Sequence, residues 1–320
     1  MSELTDRKII VVRRPTRLED LVVRFGTKGQ AKFYLEHSAL DFSDYEREHD
    51  NYYSAIGALN TSLSRLPLRI QYLEREFLPN FIFGHDDIVV VIGQDGLVVN
   101  TAKYLNEHSI IGVNPDPERF DGVLLPFSPE ETGTAVVKMM QNKLSIRSIT
   151  MAEAELNDGQ KLLAFNDLFI GAKSHVSATY TLNYEGKTER HSSSGVIVST
   201  PAGATGWLSS ALNMAKGVFG AFSKSPSNAT TESCFVETRL SWEDRKLIFV
   251  VREPFVSVST SAEIVAGFLQ SNEDIVIESR MPENGVIFSD GIESDCLEFN
   301  AGSVAKIKVA ARCTKLVEKG

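Results

Sequence analysis

The sequence predicts an α/β amino-terminal domain, a parallel sheet with helices, followed by a β-rich antiparallel sandwich domain. Three observations carry this. Apolar strands alternate with helical stretches up to about residue 145, strands and turn residues dominate after it, and 320 residues are enough for two cores at about 150 residues each. At 42% hydrophobic, the chain is neither disordered nor fibrous.

The amino-terminal elements follow in order. Ile9 to Val12 is a continuous apolar run, the pattern of a strand buried on both faces. Lys28 to His37 and Ser43 to Leu59 read as helices, the second capped by Ser43. The segment Leu66 to Phe83 has no clear period. It leads to Asp87 to Ile92, the strongest buried strand in the sequence, then the glycine turn Gly93 to Gly96 and a helix from Leu97 to Glu107. Ile110 to Val113 is a further strand and Ser128 to Lys143 a further helix. Strand, helix and strand with short joins form a parallel layer.

From Ile146 the signals change. Asn157-Asp158-Gly159 reads as a primed hairpin turn and Glu185-Gly186-Lys187 as a second hairpin. Strands are expected at Gly195 to Thr200, Lys246 to Arg252, Asp274 to Glu278, Val286 to Phe288 and Val304 to Val309, with a helix from Thr205 to Phe219 between them. Ser223 to Ser233, rich in Ser, Asn and Thr, is expected to be a mobile loop. The domains are therefore placed at 1–145 and 146–303, with 304–320 as a tail.

Lys plus Arg (33) against Asp plus Glu (42) gives a net charge of −9, which argues against the basic face of a nucleic-acid binder. Cys234, Cys296 and Cys313 make no CxxC pair and fit a reducing compartment. With no apolar leader and no run of 18 apolar residues, a cytoplasmic protein with no membrane partner is expected.

Four segments are candidates for chemistry. Gly93-Gln94-Asp95-Gly96 joins a buried strand to a helix, so backbone N–H groups and the positive helix end face a bound phosphate, and Asp95 faces the crevice. The structural alternative is that Asp95 merely caps the helix. The spacing is neither a P-loop nor GxGxxG. Thr205-Gly206-Trp207 follows an apolar strand and small residues that would let a flat ligand lie close, although a core role for Trp207 is the commoner one. Asn166-Asp167 sits between apolar runs, where such pairs are usually turn residues. Asn114-Pro-Asp-Pro-Glu-Arg119 is a rigid loop that would present Asn114, Asp116 or Arg119 to a ligand.

In this order, with Ser-Ser-Gly and Thr-x-Gly-x-x-x-Trp, the segments resemble the NAD kinase family. The Asn-x-Asp-Pro-Glu-Arg loop, Trp207, Arg252-Glu-Pro254 and the segment Arg13 to Leu35 are most similar to its mitochondrial-type branch. The resemblance runs, with gaps, from about Val11 to Val309. It implies a Rossmann-like domain plus a β-rich domain, the site in the cleft between them, and the tail returning to the first. It implies transfer of a phosphoryl group from ATP to the 2′-hydroxyl of the adenosine ribose of NAD, giving NADP. Asp95 matches the family's catalytic aspartate. Gly93, Gln94 and Gly96 fall on its phosphate turn, Asn166 and Asp167 on the pair that contacts the adenosine of NAD, and Thr205, Gly206 and Trp207 on the adenine and ribose pocket.

Mg²⁺ is expected on chemical grounds, held largely by ATP because the sequence has no dedicated metal-ligand set. Relatives form dimers or tetramers, so a homo-oligomer is implied. The family turn is Gly-Gly-Asp-Gly-Thr; here Gln94 and Leu97 replace a glycine and the threonine. A turn that needs positive φ at position 94 would be strained by glutamine. The alternative function is a catalytically impaired sensor that binds NAD(P)(H).

Overall fold

The computed structural model describes residues 7–222 and 240–319. They form two units. One takes the described residues up to Arg147 together with those from Thr314 onward, and the other is Ser148–Cys313.

In the first unit, β1 (Lys8–Arg13) is buried from Ile9 to Val12. A helix outside the expected elements, α1 (Arg17–Phe25), starts in a capping box. The Thr16 hydroxyl accepts the Glu19 N–H, and the Glu19 carboxylate accepts the Thr16 N–H at 2.7 Å. α2 (Lys28–His37) has the expected bounds. α3 (Phe42–Leu63) is capped by Asp41 and not by Ser43: the Asp41 carboxylate accepts the Ser43 N–H at 2.9 Å. Phe42, buried as the first helical residue, sets the helix two positions earlier than a Ser43 cap allows.

Residues 66–83 contain β2 (Arg69–Glu74) and a 3₁₀ turn, Arg75–Asn80. β3 (Ile88–Ile92) is wholly buried. α4 (Asp95–Ala102) begins two residues before the expected helix and ends five before it. β4 (Ser109–Val113) and α5 (Thr132–Met140) complete the layer.

The strands run parallel in the order β2-β1-β3-β4. The chain leaves β1 on one side and resumes on the other, so the order switches between β1 and β3. In open α/β sheets a ligand crevice forms beyond the carboxyl ends of strands at such a switch. Those ends are Arg13 and Ile92.

β5 (Ile146–Leu156) starts in the first unit and continues into the second, which also carries β6 (Lys161–Ala164), β7 (Asp167–Ala172), β8 (Ala178–Tyr184), β9 (Lys187–Ser193) and β10 (Val196–Ser199). α6 (Trp207–Phe222) follows a 3₁₀ turn at Gly203–Thr205. Then come β11 (Lys246–Val251), β12 (Ala266–Gln270), β13 (Asp274–Ser279), β14 (Gly285–Ser289), β15 (Ile292–Glu298) and β16 (Val304–Val317). β12-β11-β10-β7-β14-β15 is an antiparallel sheet. β16-β13-β8-β9 is also antiparallel, and β5 pairs with β16 and β6. The core between them includes Leu168, Ile170, Tyr180, Phe249, Ile277 and Ile307.

β16 runs eight residues past its expected end, and Lys315 and Leu316, which belong to the first unit, pair in parallel with Ser109 and Ile110 of β4.

Two turns refine the expectation. Glu185 and Gly186 both have positive φ, 51° and 74°, the primed type. At Asn157-Asp158-Gly159 only Gly159 does, at 89°, so this is a three-residue loop closed between Leu156 and Gln160 and not a two-residue primed turn. β12 and β15 have no counterpart among the expected strands. The Ser223 to Ser233 stretch lies outside the described residues.

Candidate functional site

In the first unit the polypeptide leaves β3 through Gly93, and a Cβ there would meet Leu97 Cδ2 at 3.0 Å. Gln94 has φ −107° and ψ 163°, ordinary extended backbone, so glutamine does not strain this turn. It occupies the cap position without a side-chain hydrogen bond. Asp95 therefore does not cap α4. It is the first helical residue, and its Oδ1 accepts the Leu124 N–H at 2.8 Å from the loop after β4. Gly96 is exposed, with nothing within 4 Å of an added Cβ. The turn thus offers an oriented carboxylate beside the free N–H groups of a helix start.

A narrow cleft at the strand switch is lined by Arg14, Thr16, Glu48, Tyr52, Gly93, Gln94, Asp116 and Phe120, among others. Tyr52 ties its walls together: its hydroxyl donates to Ile92 O at 3.1 Å and accepts from the Arg14 N–H at 3.3 Å. Burial pushes this hydroxyl's pKa up to about 12, so it stays protonated as a donor. Beside the cleft, arginines surround two carboxylates of α3. Asp44 is bound by Arg17 at 3.1 Å, Arg47 at 3.0 Å and Arg119 at 2.5 Å, while Glu48 pairs with Arg17 and stands 3.9 Å from Arg14. Hydrogen bonds from Arg47 and Arg17, with Arg119, hold the Asp44 carboxyl down to about 2. This local positive charge has no sequence signal, because Arg14, Arg17, Arg47 and Arg119 are scattered and the chain is acidic overall.

The Asn114 loop is largely engaged with its own surroundings. Asn114 Oδ1 accepts the Asp116 N–H at 3.0 Å and its Nδ2 donates to Phe120 O at 2.9 Å. Arg119 is spent on Asp44. Of the three loop candidates, Asp116 lines the cleft, where it also accepts from Asn51 Nδ2 at 3.0 Å.

In the second unit Asn166 and Asp167 stand at the start of β7, positioned by a residue that was not singled out. Asp290 accepts the N–H groups of Phe165 at 3.1 Å, Asn166 at 2.6 Å and Asp167 at 3.3 Å. Asp290 and Gly291 have φ 55° and 70° and form the β14–β15 hairpin; the Asp-Gly dipeptide between apolar runs was the available signal. Asp167 is 8% exposed, and burial together with the Asp290 charge raises its pKa to about 7. Gly203 is required here, since a Cβ would lie 2.1 Å from Asn166 O.

Thr205 and Gly206 are exposed. Trp207 is half-buried and does not fill the core: it stacks on Phe169 with centroids 5.5 Å apart at 14°, and Phe169 stacks on Phe288 at 4.8 Å. Among the described residues no group of three or more His, Cys, Asp or Glu is placed to hold a metal ion, and no helix is long and apolar enough to cross a membrane.

No family model matches the chain. Curated relatives that it resembles are NAD kinases. That of Chlorobaculum tepidum is 26% identical over 130 residues, 40% of this chain and 45% of the relative. That of Aromatoleum aromaticum is 31% identical over 134 residues, 39% of this chain and 43% of the relative. The matched region thus spans under half the length of these relatives. Among solved structures, an NAD kinase from Archaeoglobus fulgidus in complex with ATP superposes with a TM-score of 0.57 at 15% identity, covering 98% of this chain and 93% of that one. Yeast NADH kinase complexed with NADH gives 0.58 at 14% identity, covering 98% and 84%. The α/β unit and the antiparallel unit therefore build the fold of the NAD kinases.

Proposed function

We propose that the protein is an NAD kinase of the mitochondrial-type branch, transferring a phosphoryl group from ATP to the 2′-hydroxyl of the adenosine ribose of NAD. The observation that carries this is Asp95. It follows a buried parallel strand at a switch point, is oriented by the Leu124 N–H through Oδ1, and is not consumed as a helix cap. Phosphoryl transfer asks the protein for a positioned hydroxyl, an acceptor for its proton and stabilised charge on the phosphates. Asp95 accepts the ribose proton. Gly93, Gln94 and Gly96, with the first N–H groups of α4, hold the phosphates, and the exposed Gly96 lets an oxygen approach the backbone. Asn166 and Asp167 bind adenosine, and Thr205, Gly206 and Trp207 form the wall against which the base lies.

Mg²⁺ arrives with ATP, whose phosphates supply most of its ligands, and neutralises their charge. A homodimer or homotetramer and a cytoplasmic location complete the proposal. The test is product formation: protein, Mg²⁺, NAD or NADH, and ATP or polyphosphate should yield NADP or NADPH phosphorylated at the 2′ position. Dinucleotide binding without product from any donor would instead identify a sensor.

A further inference from the structure

The Leu124 N–H that Asp95 accepts belongs to a loop fixed from two sides. The loop leaves β4 at Asn114 and returns across the end of that strand. There Phe127 donates to Gly112 O at 3.2 Å and accepts the Asn114 N–H at 2.9 Å. An added Cβ at Gly112 would lie 2.0 Å from Leu124 O, so glycine alone lets the returning segment rest on the strand. Gly122 has φ 62°, its Cβ would lie 2.4 Å from Asn114 Nδ2, and its carbonyl accepts the Leu125 N–H at 2.9 Å. Asn114 is 7% exposed, and its carboxamide bonds the Asp116 N–H and Phe120 O, bracing the loop from inside. On the outer side α3 holds Arg119 through Asp44 and Asp116 through Asn51. Leu124 thus lies between a turn set by Asn114 and a strand that admits no side chain at Gly112.

We propose that Asn114 is a positioning residue for phosphoryl transfer: it touches no substrate, and it fixes the loop whose Leu124 N–H aims the Asp95 carboxylate. The inference rests on the assignment of Asp95 as proton acceptor and adds what holds that group in place. The Asn114 side chain is turned into its own loop and away from any ligand, so its effect on the reaction passes through the backbone to Leu124. A proton acceptor works only within hydrogen-bond reach of the hydroxyl it serves. A carboxylate released from its donor spends less time in that geometry, which slows the chemical step and leaves binding of the nucleotides nearly as it was.

The test uses the full chain and two readouts, single-turnover NADP formation and hydrogen exchange of the Leu124 amide. Asn114→Ala removes both side-chain bonds within the loop. It should slow the single turnover at least tenfold, with NAD and ATP affinities within about threefold of the parent. The Leu124 amide should exchange at least tenfold faster, while the amide of Val90 in β3 keeps its parental protection and reports an intact sheet. In an Asp95→Ala background there is no carboxylate to aim, so Asn114→Ala should change the remaining rate by less than about twofold. An asparagine that only supported the fold, or that bound a nucleotide, would slow both backgrounds alike. Should the alanine variant fail to fold, Asn114→Ser keeps an oxygen for the Asp116 N–H and carries the same test, with a loss of about threefold expected. A parental rate, unchanged Leu124 exchange, or an equal loss in both backgrounds would overturn the proposal. NADP formation with unchanged Leu124 exchange defeats the positioning role alone. No NADP from any donor in the parent, with faster Leu124 exchange in the variant, defeats the kinase reading and leaves Asn114 as the brace of the loop.

Discussion

Replacing Asp167 by asparagine tests the electrostatics of the second unit. The side chain is buried at the start of β7, and burial and the charge of Asp290 raise its pKa from 3.8 to about 7. In the unfolded chain it titrates at its ordinary value. Between the two values the folded state holds a proton that the unfolded state has released, so stability falls as pH rises. The contribution is fully present below 3.8 and lost by about 7. At 1.36 kcal/mol per unit, the span amounts to roughly 4 kcal/mol. An asparagine side chain cannot ionise and keeps nearly the same shape. Asp167→Asn should therefore match the parent near pH 4 and exceed it by up to about 4 kcal/mol at pH 8, the gap opening between pH 4 and 7. Urea unfolding followed by tryptophan fluorescence measures this directly, because Trp207 and Trp242 both belong to the second unit. Parallel stability curves from pH 5 to 8, or a variant weaker than the parent at pH 8, would refute the reasoning.

Three further outcomes follow from backbone geometry. Gly203→Ala places a Cβ 2.1 Å from Asn166 O, so it should cost about 2 kcal/mol or more in urea unfolding and weaken NAD binding measured by calorimetry. Gln94→Gly should leave NADP turnover within about threefold of the parent, because residue 94 is already extended; a gain of tenfold or more would show that the side chain obstructs the phosphates. Gly96→Ala meets no neighbour within 4 Å and should raise the melting temperature slightly, while its methyl group raises the KM for ATP at least fivefold in initial-rate assays.

The layer order was legible because buried strands such as Ile88–Ile92 announce themselves as apolar runs of limited length. The helix α1 was legible as well and went unread: Leu18, Leu21, Val22 and Phe25 recur at helical spacing, and Thr16-Arg-Leu-Glu19 carries the capping-box signature that fixes its start. β12 and β15 were hidden by mixed polarity: Ala266–Gln270 is half-exposed, and Ile292–Glu298 breaks alternation with the polar run Glu293-Ser294-Asp295 and the adjacent Cys296 and Leu297. Among the candidate residues, Asp95, Asn166 and Trp207 stood out in the sequence because each stands at a junction of element types. Asp290 was not, because its role is long-range. It lies more than 120 residues from the N–H groups it accepts, and only tertiary structure brings them together. The arginines around Asp44 and Glu48 come from three separate segments, so a net charge of −9 concealed a local cluster of opposite sign.

The central claim is that Asp95 takes the proton from the ribose hydroxyl. Single-turnover formation of NADP by the parent and by Asp95→Asn, with NAD saturating and its affinity measured in parallel, tests this most directly. Asparagine keeps an oxygen for the Leu124 N–H, so the turn should survive. The account predicts that the rate falls at least about 100-fold while NAD affinity changes by less than threefold. An Asp95→Asn protein that forms NADP at the parental rate would contradict it.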